Sequence, residues 1–183
     1  TRAVPEDLLE MVAYAAEVGA DRIRLADTTG AASPEGMYDL VAHCADMAGK
    51  HGAIIGVHCH NDFGLALANT LVSIKAGAKL IDVSINGLGD RSGNPATAEM
   101  GAALDILYGN ECSIKLPAMM DIAKFTEQLS GCEIPLTKPL VGRYAFSHQQ
   151  DLHIAEQTHE PQALQCTQAE EDGNKQATIL GKL

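Results

Sequence analysis

The sequence predicts an α/β fold: the C-terminal part of a (β/α)8 barrel, with about three βα units, followed by a small, mostly helical linker subdomain. Apolar segments with helical spacing alternate with short apolar runs that are typical of buried strands. The segments AAEVGADRIRLADTTG and VSIKAGAKLIDVSING repeat one pattern, in which a helix end and Gly-Ala precede a strand that ends in polar residues. Barrels of this type carry their chemistry at that end of the strands.

Helix caps and stop residues predict where each element begins and ends. The first helix has acidic residues in its first turn and stops at Gly19. Ser33 and Pro34 form an N-cap and a first-turn proline for the second helix. The predicted order is helix 5–18, strand 22–26, helix 34–50, strand 53–60, helix 65–75, strand 79–87 and helix 95–108.

The pattern weakens after about residue 110, where SIKLPAMMDIAKFTEQLSG is the one clear helix. We therefore assign residues 1–110 to the C-terminal portion of the barrel and residues 111–183 to a truncated linker subdomain. A complete barrel has eight strands and roughly 250 residues. Since only three strands are predicted here, we expect the chain to be a piece of a larger protein.

Composition excludes several classes of function. The net charge is −11 and no basic cluster is present, which argues against nucleic acid and anionic membranes as partners. No apolar run reaches the roughly 18 residues of a membrane span, so we expect a cytoplasmic protein. The five cysteines include no CxxC pair, which argues against a disulfide framework and against a zinc-finger site.

Two histidines stand one residue apart in GVHCHNDFG, where an apolar run ends. Alternate residues of a strand face the same side, so His58 and His60 project into one space while Cys59 faces the other way. Two imidazoles on one face form a two-ligand set for a divalent metal. Hydrogen bonding within the barrel mouth explains the pair equally well, so the residues alone leave both interpretations open.

The glycine-rich segment NGLGDRSGN, residues 86–94, follows the third predicted strand. Its three glycines allow the backbone to approach a ligand closely. It matches neither of the usual phosphate-binding patterns. The polar residues Asp90, Arg91 and Asn94 favour a functional loop over a plain connection.

Two further segments carry candidate polar groups. In LADTTG, Thr28 could donate its hydroxyl and its backbone N–H to a carboxylate, although the segment is equally typical of a turn that caps a helix. In AFSHQQDLH, His148 and His153 lie beyond the predicted strands, and isolated histidines are more often structural than catalytic.

Together, the segments DTTG, GVHCHNDFGLALANTLVSIKAGA, NGLGDRSGN and VGRYAFSHQQDLHI resemble the TIM-barrel metallolyase superfamily. The resemblance is greatest to its 2-isopropylmalate, homocitrate and citramalate synthases, and it extends from Thr1 to about His153. Packing or capping does not account for both HxHND and NGLG(E/D)RxGN in this order. The resemblance implies a metal-dependent acyltransferase of amino-acid biosynthesis, which condenses acetyl-CoA with a 2-oxo acid by Claisen condensation and thioester hydrolysis.

The resemblance also implies a role for individual residues. His58 and His60 would bind a divalent cation (Mg²⁺, Mn²⁺ or Zn²⁺), with Asn94 as a further ligand or as one that acts through water. Thr28 would hold the carboxylate of the 2-oxo acid, and His148 would carry the acid/base function. Acetyl-CoA and a 2-oxo acid are the implied small-molecule partners, and the full-length protein is expected to be a homodimer.

The sequence departs from the superfamily pattern at several positions, and these departures limit which activities the resemblance implies for the chain. The first-strand Arg-Asp-Gly motif and a middle-strand glutamate are missing, so we expect the isolated chain to lack condensing activity. Asp90 stands where glutamate is usual, and HQQDLH replaces HESGIH around His148.

Three alternatives stay open. The first is an acyl-CoA lyase of the hydroxymethylglutaryl-CoA lyase type, which would carry a cysteine in the glycine-rich loop. The second is a biotin-dependent carboxyltransferase, which would need a different loop and a carbamylated lysine. The third is an inactive fragment of a synthase.

Overall fold

A computed structural model describes residues 4–110, 112–148, 150, 153–154, 156, 159–160, 164–169 and 172–178 of the protein. The chain forms two compact units, one that ends at Met100 and one that starts at Gly101. The predicted assignment of residues 1–110 and 111–183 to separate domains stays a prediction. Among the described helices, none combines the length and the apolar character that a membrane span requires.

The first unit alternates helices and strands along the chain. Its three strands form one parallel sheet in the order β1-β2-β3. A helix joins each strand to the next, as parallel pairing requires, and this confirms the predicted α/β fold with three βα units. The elements are α1 (Pro5–Glu17), β1 (Arg22–Asp27), α2 (Pro34–Gly49), β2 (Ile54–Cys59), α3 (Ala66–Lys75), β3 (Leu80–Ile81) and the beginning of α4 (Thr97–Ala102).

The helices cover one face of this sheet. Strand side chains that point to that face are buried, and they belong to one apolar cluster with residues of the helices. Leu25 and Ile55 of the strands are 5% and 1% exposed, and Val41 of α2 is fully buried. Because side chains alternate along a strand, Arg24 and His58 lie on the opposite face.

Two elements differ from their predicted extent. The strand predicted over 79–87 is only two residues long, and the chain then makes a single bridge at Ser84 and a 3-10 turn. Asn86 adopts a φ of 58°, which an extended strand cannot accommodate, so the strand does not reach residues 86 and 87. The last predicted helix is α4, which continues into a wider π-helical turn at Ala103–Leu107.

The second unit contains α5 (Met119–Ser130), which confirms the helix predicted in SIKLPAMMDIAKFTEQLSG. A 3-10 turn at Leu116–Ala118 precedes α5, and Gly131 ends it in the left-handed conformation, with a φ of 70°. Further along the chain, β4 (Ser147–His148) pairs in parallel with β5 (Ala177–Thr178).

Candidate metal centre at the strand ends

The loop after β1 is fixed by a buried carboxylate. Asp27 is fully buried and accepts hydrogen bonds from the backbone N–H groups of Ala31 (3.1 Å) and Ala32 (3.2 Å). Asn69 of α3 donates to the carbonyl oxygen of Ala32 at 2.9 Å. The exposed Thr28 is therefore held at the carboxyl end of β1. Its role in binding substrate stays a prediction.

His58 and His60 lie on one face at the end of β2. Their ring centroids are 5.0 Å apart, and the two ring planes are inclined by 69°. Two imidazoles that share one metal, with metal–nitrogen bonds of about 2.1 Å, have centroids roughly 4.5–5.2 Å apart. The two rings are thus spaced as a pair of metal ligands would be.

The hydrogen bonds of the two rings also suit a metal. The Nδ1–H of His58 donates to Oδ2 of Asp82 at 2.8 Å, because a carboxylate can only accept. The lone pair of His58 is therefore on Nε2, which is the tautomer that binds metals through that atom, and here it accepts a hydrogen bond from Nδ2 of Asn94 at 3.3 Å. Nδ1 of His60 is buried and has no hydrogen-bond partner within the described part of the chain. A buried nitrogen of that kind requires a ligand or a water molecule.

Asn94 lies against this pair, as the sequence predicts, but in an unexpected orientation. Its Nδ2 donates to the carbonyl oxygen of Cys59 at 2.9 Å and lies 3.3 Å from Nε2 of His58. Only the amide nitrogen can donate to a carbonyl, so the ligating oxygen points away, toward Gly89. The role of Asn94 as a ligand stays a prediction.

A guanidinium group joins the three loops that follow the strands. Arg91, in the glycine-rich loop, donates Nε to Oδ1 of Asp62 at 2.7 Å and an Nη atom to Oδ2 at 2.9 Å. The same Nη donates to the carbonyl oxygen of Thr28 at 2.7 Å. A hydrogen bond from Asn61 N–H to the carbonyl oxygen of Gly93, at 2.9 Å, adds a second link between two of the loops.

The bidentate pair gives the strand-end loops a pH dependence. The hydrogen bonds from Arg91 hold the pKa of Asp62 below its usual range, and the Asp62 carboxylate raises the pKa of Arg91. A carboxyl with a lowered folded-state pKa stabilises the fold above its unfolded-state pKa, and loses that contribution as the pH falls through its folded-state value. The pH range in which the stabilisation by Asp62 is lost therefore lies below about pH 4.

We expect Asp62→Asn and Arg91→Gln each to lower the free energy of unfolding at pH 7. The double variant should cost no more than the larger single change, because both remove the same interaction. The difference between wild type and Asp62→Asn should shrink below about pH 4. Urea unfolding of wild type and variants from pH 7 to pH 3.5 measures these free energies. The exposed pair Asp46–Lys50 at the C-terminal end of α2 is the control, since a surface pair with a single contact contributes little. Additive effects of Asp62→Asn and Arg91→Gln would show that the two side chains do not stabilise the fold through their shared contact.

Cys59 lies between the two histidines but is not part of the site. It is fully buried among the residues packed against the helices, and this burial raises the pKa of its thiol to about 11. Burial likewise raises the pKa of Cys44 to about 11. A thiol with such a pKa is protonated at neutral pH, so it acts neither as nucleophile nor as metal ligand.

Alkylation distinguishes these thiols from the exposed ones. In the folded protein at pH 8, iodoacetamide should modify the exposed Cys132 and Cys166 and leave Cys44 and Cys59 unmodified. In urea, all four should react. Peptide mass spectrometry measures both states. Modification of Cys59 at the rate of Cys132 would show that its side chain faces the site.

His148 lies in the second unit, in the short strand β4. Nε2 of its ring accepts a hydrogen bond from the amide nitrogen of Gln165 at 3.0 Å, and its ring centroid lies 6.3 Å from that of His153. The two rings meet edge to face, with an angle of 86° between their planes. These contacts all lie within the second unit, and the acid/base role of His148 stays a prediction.

Two carboxylates of the site were not singled out in the sequence. Asp82 contacts His58, and Asp62 holds Arg91. Asp82 meets His58 because Gly56 pairs with Leu80, so that the residues two positions on are neighbours, and only the structure shows this register. Across the described residues, no group of three His, Cys, Asp or Glu side chains converges as a metal site. The role of His58 and His60 as metal ligands stays a prediction, and a metal bound by this pair would need further ligands.

Comparisons with known proteins find relatives that match the whole of this chain. The chain is 37% identical over 182 residues to the homocitrate synthase AksA of Methanocaldococcus jannaschii, which covers all of this chain and 44% of that protein. It is 36% identical over 182 residues to a 2-isopropylmalate synthase of Sulfolobus acidocaldarius, covering all of this chain and 47% of that protein. The chain thus spans less than half the length of these relatives.

A solved structure is similar as well. It is that of an HMG-CoA lyase from Acinetobacter baumannii in complex with coenzyme A and 3-methylmalate, with a TM-score of 0.62 and 28% identity. The similarity covers 71% of this chain and 44% of the lyase. The sequence profile of the HMGL-like family matches residues 1–126. With the three parallel βα units, these findings confirm the predicted partial TIM barrel, and the chain belongs to the HMGL-like family.

Proposed function

We propose that the protein containing this chain is a divalent-metal-dependent acyltransferase that condenses acetyl-CoA with a 2-oxo acid. The observation that carries the proposal is the spacing of His58 and His60, whose ring centroids are 5.0 Å apart at the end of β2. The names of the relatives, a homocitrate synthase and a 2-isopropylmalate synthase, support the same reaction class. Mg²⁺, Mn²⁺ and Zn²⁺ all accept imidazole together with oxygen ligands.

Each site residue of the chain has a separate role in the proposed reaction. His58 and His60 hold the metal, which supplies Lewis-acid polarisation of the ketone of the 2-oxo acid when bound. Thr28, at the adjoining strand end, orients the substrate carboxylate by its hydroxyl and backbone N–H. Asn94 closes the site, and it could offer its oxygen only after its amide turns away from the Cys59 carbonyl. The hydrogen bonds from Arg91 to Asp62 hold the three strand-end loops in place relative to one another.

The proton and bond changes balance without a redox partner. A base removes a proton from the acetyl methyl group, and we assign proton transfer to His148. The methyl carbon then forms a bond to the ketone carbon, and the ketone oxygen takes up a proton. Water cleaves the thioester, which releases the thiol of coenzyme A and a carboxylate. Hydrolysis makes the condensation effectively irreversible.

The test is thiol release from acetyl-CoA by the full-length protein, with Mg²⁺ or Mn²⁺ and a panel of pyruvate, 2-oxoisovalerate and 2-oxoglutarate. We expect one of the three acids to stimulate release of the thiol, together with a product that contains the acetyl carbons. Chelation by EDTA should abolish the signal, and added metal should restore it. Thiol release that no acid stimulates would reject a condensing function.

A lyase is the second candidate, because the solved lyase structure is 28% identical to this chain with a TM-score of 0.62. The loop 86–94 contains no cysteine, which disfavours this candidate. The same preparation should therefore fail to cleave 3-hydroxy-3-methylglutaryl-CoA. Formation of acetoacetate and acetyl-CoA from that thioester would instead identify a lyase.

A further inference from the structure

Three side chains lie in a row of contacts on the face of the sheet opposite to the helices: one from β1, one from β2 and one from the residue that follows β3. His58 at the end of β2 lies between Asn94 and Asp82. Asp82 directly follows β3, and Arg24 is in the middle of β1. Nδ1 of His58 lies 2.8 Å from Oδ2 of Asp82, and an Nη atom of Arg24 lies 3.3 Å from Oδ1.

The sheet register explains why these three meet. Gly56 and Leu80 are paired across β2 and β3, so the residues two positions further along each chain, His58 and Asp82, are also neighbours on the same face. Arg24 is paired with Gly56, which has no side chain to stand between Arg24 and Asp82. The guanidinium therefore reaches across β2 to the carboxylate.

We propose that Asp82, held by Arg24, is the positioning residue for His58. Its carboxylate accepts the Nδ1–H of the ring, which selects the tautomer whose lone pair is on Nε2. It also fixes the rotation of the ring, so that this lone pair faces Nδ2 of Asn94, 3.3 Å away, and a metal would take the place of that contact. Carboxylates that hold a metal-binding histidine in this way fix the tautomer and the orientation of the ring. The inference rests on the proposed metal site.

The geometry separates this role from direct ligation. The two ring nitrogens of an imidazole point in widely different directions. A carboxylate that is hydrogen-bonded to Nδ1 is therefore remote from a metal bound at Nε2. Asp82 acts through His58 and not on the metal.

The relative exposure of the side chains ranks the two supporting residues. The side chain of Asp82 is 27% exposed, that of His58 is 33% exposed, and that of Arg24 is 59% exposed. The Arg24 contact is the longer and the more solvated, so its loss should matter less than loss of the carboxylate. We therefore expect a graded series in which Asp82 variants have the larger effect.

Metal affinity of the full-length protein tests the assignment. Mn²⁺ is titrated into metal-free protein, and the EPR signal of the free ion gives the dissociation constant. Asp82→Ala should weaken Mn²⁺ binding by roughly 10- to 100-fold, as is typical for outer-shell partners of a ligand. Asp82→Asn keeps the shape and one acceptor oxygen, so it should recover part of the affinity. Arg24→Met should have a smaller effect than Asp82→Ala.

Asp21→Asn is the matched control, since it removes one negative charge from the exposed residue just before β1, at the opposite end of the sheet. Its Mn²⁺ affinity should stay within about twofold of wild type, because exposed charges at that separation are largely screened. A thermal unfolding curve for each variant identifies any loss of affinity that follows from unfolding, and the isosteric Asp82→Asn keeps the test decisive if Asp82→Ala does not fold.

A second readout does not depend on metal. With selective ¹⁵N labelling of histidine, the two ring nitrogens of His58 report which one carries the proton in the metal-free, neutral ring. We expect the Nδ1–H form in wild type and a shift toward the Nε2–H form in Asp82→Ala. An unchanged tautomer in both Asp82 variants would overturn the proposal.

The outcomes distinguish this inference from the proposed function. If Mn²⁺ binding is lost in His58→Ala but intact in both Asp82 variants, the metal site stands and the role of Asp82 is wrong. If wild type binds no Mn²⁺, the metal site fails, and the positioning role fails with it.

Discussion

His58→Ala and His60→Ala are each expected to abolish metal binding and turnover in the full-length protein. Each change removes one of two imidazoles whose ring centroids lie 5.0 Å apart. Loss of a ligand should exceed the 10- to 100-fold effect of an outer-shell partner, so we expect Mn²⁺ affinity to fall by more than about 100-fold. Turnover should fall by at least about 100-fold, since Lewis-acid stabilisation contributes several kcal/mol to the reaction.

The protein offers a control within the same βα unit. His51 is exposed and lies just before β2, at the end of the strand opposite to the site. His51→Ala should change neither Mn²⁺ affinity nor turnover. Calorimetric titration and thiol release measure the two quantities. Wild-type Mn²⁺ affinity in either site variant would show that the pair serves the fold and not a metal.

Gly93→Ala is expected to give the largest structural effect of any single methyl added to the strand-end loops. Gly93 has a φ of 81°, and a Cβ there would overlap the carbonyl oxygen of Gly87. That carbonyl accepts the N–H of Asn94 at 3.1 Å, and the carbonyl of Gly93 itself accepts the N–H of Asn61. The methyl group would therefore force apart the segment that places Asn94 beside the histidines.

Gly52→Ala separates the two causes of this effect. Gly52 has a φ of 79°, almost the same as Gly93, but a Cβ there has no atom within 4 Å. Both changes carry the cost of a left-handed alanine, about 1 kcal/mol or more. Only Gly93→Ala adds the overlap, which costs typically a further 1–3 kcal/mol. Urea unfolding measures both. Equal losses of unfolding free energy would show that the loop relaxes around the methyl group.

The elements of the first unit were predictable because local chemistry decides them. Ser33 accepts a hydrogen bond from Gly36 N–H at 3.2 Å, which is the N-cap contact that its position before Pro34 predicts. The alternation rule predicted that His58 and His60 share one face, and their ring centroids lie 5.0 Å apart. Both inferences depend only on residues close together in the chain.

The rest depends on contacts between distant segments. Arg91 and Asp62 are 29 positions apart in the chain, and His58 and Asp82 are 24 apart. Such pairs follow from strand register and loop conformation, which a single sequence does not define. The third strand pairs with β2 only at Leu80 and Ile81, and the left-handed Asn86 lies in the 3-10 turn that follows, where Asn-Gly is itself a turn signal. The orientation of the Asn94 amide is likewise decided by the Cys59 carbonyl.

The most direct test is a crystal structure of the full-length protein with Mn²⁺ and a 2-oxo acid, with data collected for the anomalous signal of manganese. We predict one anomalous peak within about 2.3 Å of Nε2 of His58 and of a ring nitrogen of His60. The carboxylate of Asp82 should remain on Nδ1 of His58. A manganese peak elsewhere, with both imidazoles hydrogen-bonded only to protein, would contradict the metal centre.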